Sequence, residues 1–121
     1  MKLNLSILNE QFVVHRFAPN TQIPNQVFYT VFYSISRTED ELSIVCPASL
    51  QLASDKAETD WSCIKVLGPL DFSLTGILAA ISKVLADKEI SIFAISTFDT
   101  DYILVKTEKL EVAKEVLEKA G

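Results

Sequence analysis

The sequence predicts an α+β fold, and three observations carry that prediction. Segments such as Leu3–Leu8 (Leu-Asn-Leu-Ser-Ile-Leu) alternate apolar with polar residues, the period of a half-buried strand. Two later segments space their apolar residues three and four apart, the stripe of an amphipathic helix. From Trp61 onward the order is strand, helix, strand, strand, helix, one strand short of the four-stranded, two-helix ferredoxin-like unit. The first half has strands to spare, so two interlocked units with antiparallel sheets are expected, neither folding well alone. A strand lent by a second subunit satisfies the count equally well.

In chain order, Leu3–Leu8 is the first strand. Gln11–Phe17, β-branched and aromatic, is the second, after a turn near Asn9-Glu10. Between Pro19 and Pro24 two prolines with Asn20 and Thr21 break the pattern, giving a loop or one short helical turn. Val27–Ser36 and Glu41–Cys46 are strands joined by the charged turn Arg37-Thr38-Glu39-Asp40. Pro47 is able to open a short helix through Leu52, proline being tolerated in a first turn. Ser54–Thr59 is polar and charged and reads as a linker. It divides the chain into a unit over 1–59 and a domain over 60–121.

The second half is clearer. Trp61–Leu67 is a strand ended by Gly68-Pro69. Leu74, Ile77, Leu78, Ile81, Val84 and Leu85 form one helical stripe. Ser73 stands just before it, where a hydroxyl caps free backbone N–H groups, and Asp87-Lys88-Glu89 closes the helix. Ile90–Ser96 is nearly continuous apolar sequence and reads as a buried strand. Tyr102–Val105 pairs back against it across Phe98-Asp99-Thr100-Asp101. Leu110, Ala113, Val116, Leu117 and Ala120 make the second stripe, with Glu111, Lys114, Glu115, Glu118 and Lys119 facing water.

Composition narrows the function. With 49% hydrophobic and 22% charged residues, the chain has core material for an ordinary globular protein. A net charge of −5 with scattered lysines and arginines argues against nucleic acid, whose phosphates require clustered cations. No apolar run approaches the roughly 20 residues of a membrane helix. No secretory leader pattern opens the chain, so the cytoplasm is the expected compartment. Cys46 and Cys63 sit in apolar, strand-like sequence and read as buried free thiols, with nothing spaced to join them in a metal site. His15, the one histidine, lies in a strand and reads as structural. Trp61 opens a strand and reads as core or interface. No nucleophile, base or metal set is evident, so neither catalysis nor a cofactor is expected.

One resemblance sharpens this. Ile64-Lys65-Val66-Leu67-Gly68 followed by Asp71-Phe72-Ser73-Leu74-Thr75-Gly76-Ile77-Leu78 resembles the first strand, loop and helix start of ACT domains. Ile95-Ser96-Thr97-Phe98-Asp99-Thr100-Asp101-Tyr102-Ile103-Leu104-Val105 is more specific. It resembles the ACT units of small bacterial tandem-ACT proteins, of aspartate kinase regulatory domains and of the CASTOR arginine sensors. The resemblance covers Trp61–Gly121. Residues 1–60, with Phe32 to Val45 among them, look like the degenerate first ACT unit of the same small proteins. The fold implied is the ACT-type sandwich.

The function implied is that of a regulatory module, with an amino acid or similar small ligand held between two ACT units at the helix-mouth loop and the neighbouring hairpin. A homodimer and a regulated partner protein belong to the same implication. The positions carried over are Thr97, Phe98, Asp101, Gly76 and Ile77, with Asp71 and Thr75 as further candidates. Physical chemistry fits these residues. Unpaired N–H groups at a helix start attract a carboxylate. Gly76 lets backbone approach a ligand without a Cβ in the way. Asp101 and Asp71 are acceptors for an ammonium or guanidinium. Thr97 and Phe98 offer backbone groups and an apolar wall.

Leu74 is a departure. It stands about where the arginine sensors carry an acidic residue, so a smaller or more apolar amino acid suits this loop better than arginine. Plainer readings stand beside these. Gly76 allows close packing of helix on sheet, Asp99 and Asp101 are ordinary hairpin residues, and Ser73 and Thr75 are caps. On those readings the chain is an ACT-type assembly domain without a small ligand.

Overall fold

The computed structural model describes residues 4–67 and 76–120. Its elements are β1 (Asn4–Phe17), β2 (Ser34–Arg37), β3 (Leu42–Pro47), β4 (Lys56–Leu67), α1 (Ile77–Asp87), β5 (Ile92–Ser96), β6 (Asp101–Lys106) and α2 (Leu110–Ala120). Short 3-10 turns lie at Asn25–Tyr29 and Thr107–Lys109. The strands are antiparallel and hydrogen-bond in the order β2-β3-β1-β4-β6-β5. Contacts group the chain into two units, Met1–Asn9 with Ser62–Gly121, and Glu10–Trp61. β1 and β4 each give one half to either unit. The strand missing from the C-terminal ferredoxin-like unit is therefore the chain's own Asn4–Asn9, as the interlocked arrangement requires.

In the C-terminal unit, Ile64 and Val66 of β4, Ile103 and Val105 of β6, Ile81 and Leu85 of α1, and Ala113 and Leu117 of α2 form one buried core. Alternate residues of β4 and β6 reach it because successive strand side chains point to opposite faces. The helices reach it through their three-and-four spacing. Burying each large aliphatic side chain is worth about 1.5–3 kcal/mol. Helix α1 then stops sharply. The Glu89 and Ile90 N–H groups donate to Ala86 O and Leu85 O, both at 2.9 Å, the paired bonds of a Schellman cap. Glu89 takes the left-handed φ of 58° that such a cap usually gives to glycine. Ile90 is buried in the same core as Leu85, the apolar contact that accompanies the motif.

The Glu10–Trp61 unit has a core of Phe17, Val27, Leu42, Ile44 and Cys46. β1 and β3 pair antiparallel with His15 opposite Ile44, and β2 pairs with β3 with Ile35 opposite Ile44. Phe12 and Phe32 meet edge to face at 5.4 Å.

Several local expectations are corrected. No turn interrupts β1 at Asn9-Glu10: Asn9, Glu10 and Gln11 are exposed within a continuous strand, and their polarity reflects exposure. Val27–Ser36 is not a strand throughout. Pro24 leads into the 3-10 turn, where Val27 N–H donates to Pro24 O at 3.1 Å, and the strand is confined to Ser34–Arg37. Pro47 starts no helix; it ends β3, and Leu50 N–H returns to its carbonyl at 3.1 Å in a single turn. Lys56–Thr59, read as linker, are the exposed first residues of β4. β5 is not buried, because it ends the strand order and pairs on one side only. The readings placed on Ser73, Leu74 and Gly68-Pro69 lie outside the described residues.

Candidate functional site

Of the positions expected from the sequence, Gly76, Ile77, Thr97, Phe98 and Asp101 are described, and they lie in the C-terminal unit. β6 is antiparallel both to β5 and to β4. The end of β4 at Leu67, from which the chain passes toward α1, thus lies at the same end of the sheet as the β5–β6 hairpin. α1 starts at that end too, since Ile77 shares a core with Ile103 and Val105. Asp71 and Thr75 lie outside the described residues.

Gly76 occupies the N-cap of α1 with a left-handed φ of 87°. A Cβ built there meets nothing within 4 Å among the described residues. Backbone conformation demands the glycine, and close packing of helix on sheet does not account for it. Its carbonyl accepts from Ala80 N–H at 2.8 Å, the first bond of the helix. A helix start leaves its first N–H groups without intrahelical partners, and among the described residues no side chain caps this one. Ile77, the first helical residue, turns its side chain into the core and offers a ligand only backbone.

The hairpin is closed by Thr97. Its N–H and its Oγ1 both donate to Thr100 O, at 2.8 and 3.0 Å. Phe98 stands 78% exposed at the tip. Asp101 pairs directly with Ser96, the last ladder pair before the turn. Strand alternation puts Asp101 on the face of Ile103 and Val105, the face the helices cover, and Ser96 on that face with it. A half-buried carboxylate beside a hydroxyl, on the helix side of the sheet end, is an arrangement able to hold an ammonium or guanidinium. Ser96 was not among the site residues expected. Pairing register is the signal that finds it, and register depends on where the turn falls.

Cys46 and Cys63 are free, fully buried thiols, and burial pushes their pKa values up to about 11 and about 12. A thiol so raised is a poor nucleophile. Among the described residues no group of three or more His, Cys, Asp or Glu is placed to hold a metal ion.

Comparison with known proteins decides the family. A family model described as ACT domain matches residues 56–119, more than half of the chain. The chain belongs to the ACT domain family. A second model, for an N-terminal domain, matches residues 10–50 of this ACT protein. The cytosolic arginine sensor for mTORC1 subunit 1 of Homo sapiens is 35% identical over 97 residues, which cover 73% of this chain and 29% of the sensor. The ACT protein thus spans under a third of the length of that relative. A crystal structure from Agobacterium tumefaciens matches with a TM-score of 0.91 and 37% identity, covering 100% of this chain and 90% of the other. The regulatory subunit of aspartate kinase from Thermus thermophilus, in a ligand-free form, shares the fold at a TM-score of 0.70 and 10% identity, with 97% of each chain covered.

Proposed function

We propose that this ACT protein is a non-catalytic regulatory module that binds an amino acid at the hairpin end of its C-terminal unit. The observation that carries the reading is the position of Asp101, beside Ser96 on the helix side of the sheet end that also holds the start of α1. In this reading the backbone N–H groups of Gly76 and Ile77 receive the ligand carboxylate. Asp101 receives its ammonium, and Thr97 and Phe98 border the side chain. Asp71 and Thr75, from the preceding loop, complete the set, and Leu74 turns selectivity toward a small or apolar amino acid. A second copy of the chain supplies the ACT unit that closes the site, so the working form is a cytoplasmic homodimer acting on a partner protein. In sequence terms, 1–59 is the degenerate unit and 60–121 the ligand-binding one. The relative named as an arginine sensor supports an amino-acid ligand in kind.

A thermal-shift screen of the purified protein against the twenty amino acids tests this, run in parallel on Asp101→Ala. One amino acid should raise the melting temperature of the wild type, because it binds the folded state preferentially, and the rise should vanish in the variant. A flat screen overturns the reading and favours the second, an assembly domain without a small ligand. β5 speaks for that alternative: an edge strand of sequence Ile-Phe-Ala-Ile-Ser has neither charge nor proline to discourage pairing with another copy.

A further inference from the structure

The two hairpins of the chain are built alike but furnished differently. In the Glu10–Trp61 unit, Thr38 N–H donates to Glu41 O at 2.9 Å and its Oγ1 lies 3.4 Å from the same oxygen. Thr97 makes the same pair of bonds to Thr100 O. The last ladder pair before each turn is Arg37 with Leu42 in one hairpin and Ser96 with Asp101 in the other. Arg37 therefore stands where Ser96 stands, and Leu42 where Asp101 stands. Two residues further on, Ile44 and Ile103 each lie in the core of their own unit. The correspondence thus holds for the covered face as well as for the turn.

Leu42 is fully buried and brings no carboxylate. Arg37 instead sends its guanidinium to the loop that leaves β1. Nη1 donates to the carbonyl oxygen of Pro19, and Nη2 to that of Thr21 at 2.9 Å. In chain order that segment follows β1 as residues 68–75 follow β4. A planar guanidinium with parallel donors fits two such carbonyls better than an ammonium does.

We propose that Arg37 is a tethered ligand: its guanidinium fills, in the Glu10–Trp61 unit, the station that the amino acid takes in the C-terminal unit. Each chain accordingly binds one amino acid, and removing the Arg37 side chain opens a site selective for a free guanidinium. The parallel with the C-terminal unit rests on the amino-acid reading, whereas the guanidinium site stands on Arg37's own contacts. Two neutral acceptors at the surface hold a free cation weakly. Tethering offsets this by an effective concentration on the order of millimolar, which sets the range in which an untethered guanidinium should bind.

The test uses the full chain and ethylguanidinium as the probe, read by amide NMR at constant ionic strength. In Arg37→Ala, millimolar ethylguanidinium should shift the resonances of residues 20–23 saturably. Ethylammonium should shift them less, and wild type should not respond. The double variant Arg37→Ala/Asp101→Ala should respond as the single one does, which separates this site from the amino-acid site. Equal responses in wild type and Arg37→Ala, or no saturable shift in a folded Arg37→Ala, overturn the proposal. If the alanine variant does not fold, Arg37→Gln takes its place with the same two outcomes.

Discussion

The Nδ1 atom of His15 lies 2.8 Å from Ser54 Oγ, while its Nε2 is buried with no hydrogen-bond partner among the described residues. Burial disfavours the imidazolium and lowers the pKa of His15 below its ordinary value of 6.5. In the imidazolium both ring nitrogens carry protons, and the one on Nε2 would have no acceptor among the described residues.

The consequence for stability has a definite sign. Well above pH 6.5 both folded and unfolded chains carry neutral His15, and the residue makes no pH-dependent contribution. As the pH falls from 6.5 toward the lowered folded value, the unfolded state takes up more protons and stability is lost. The slope cannot exceed about 1.4 kcal/mol per pH unit, the limit for one proton. Urea titrations at several pH values between 7.5 and 5 should show the midpoint falling in wild type. In His15→Gln that component should be absent; an identical fall in both would assign it to carboxylates instead.

Glu89 offers a gain. It holds a left-handed backbone at the end of α1, where a residue with a Cβ is strained by about 1 kcal/mol. Glu89→Gly relieves that strain at some cost in unfolded-state entropy, for a net stabilisation of about 0.5 kcal/mol. The urea midpoint should rise with the slope unchanged. Glu89→Ala should leave it near the wild-type value.

Gly76 should behave in the opposite way. Its φ of 87° disfavours any side chain, yet among the described residues no atom stands within 4 Å to clash with a Cβ. Gly76→Ala is thus expected to destabilise by about 1 kcal/mol through backbone strain alone. Gly76→Asn, whose side chain tolerates this conformation, should recover part of that loss in thermal denaturation. Equal losses for alanine and asparagine would point to a steric cause.

Helices were the most legible elements because a 3.6-residue period is a local property of the chain. Ile77, Ile81 and Leu85, and then Ala113 and Leu117, show their spacing whatever lies opposite, and all five are buried. Strand limits were less legible. The polar run Asn9-Glu10-Gln11 imitates a turn, and only pairing along the whole of β1 reveals an unbroken strand. In the same way Lys56–Thr59 imitates a linker, and the apolar β5 imitates a buried strand although it ends the strand order.

For the candidate site, sequence by itself determined the residue types and their order: a glycine ahead of a helix, and a Thr-Phe-Asp-Thr-Asp hairpin between two strands. Tertiary structure decided which of them share an end and a face of the sheet. It set Asp101 opposite Ser96, turned Ile77 into the core, and carried the Arg37 guanidinium to the carbonyls of Pro19 and Thr21. The physical reason is range. Conformational preference acts over a few neighbouring residues, whereas register and the meeting of a side chain with a distant carbonyl depend on strand pairing between segments far apart in the chain.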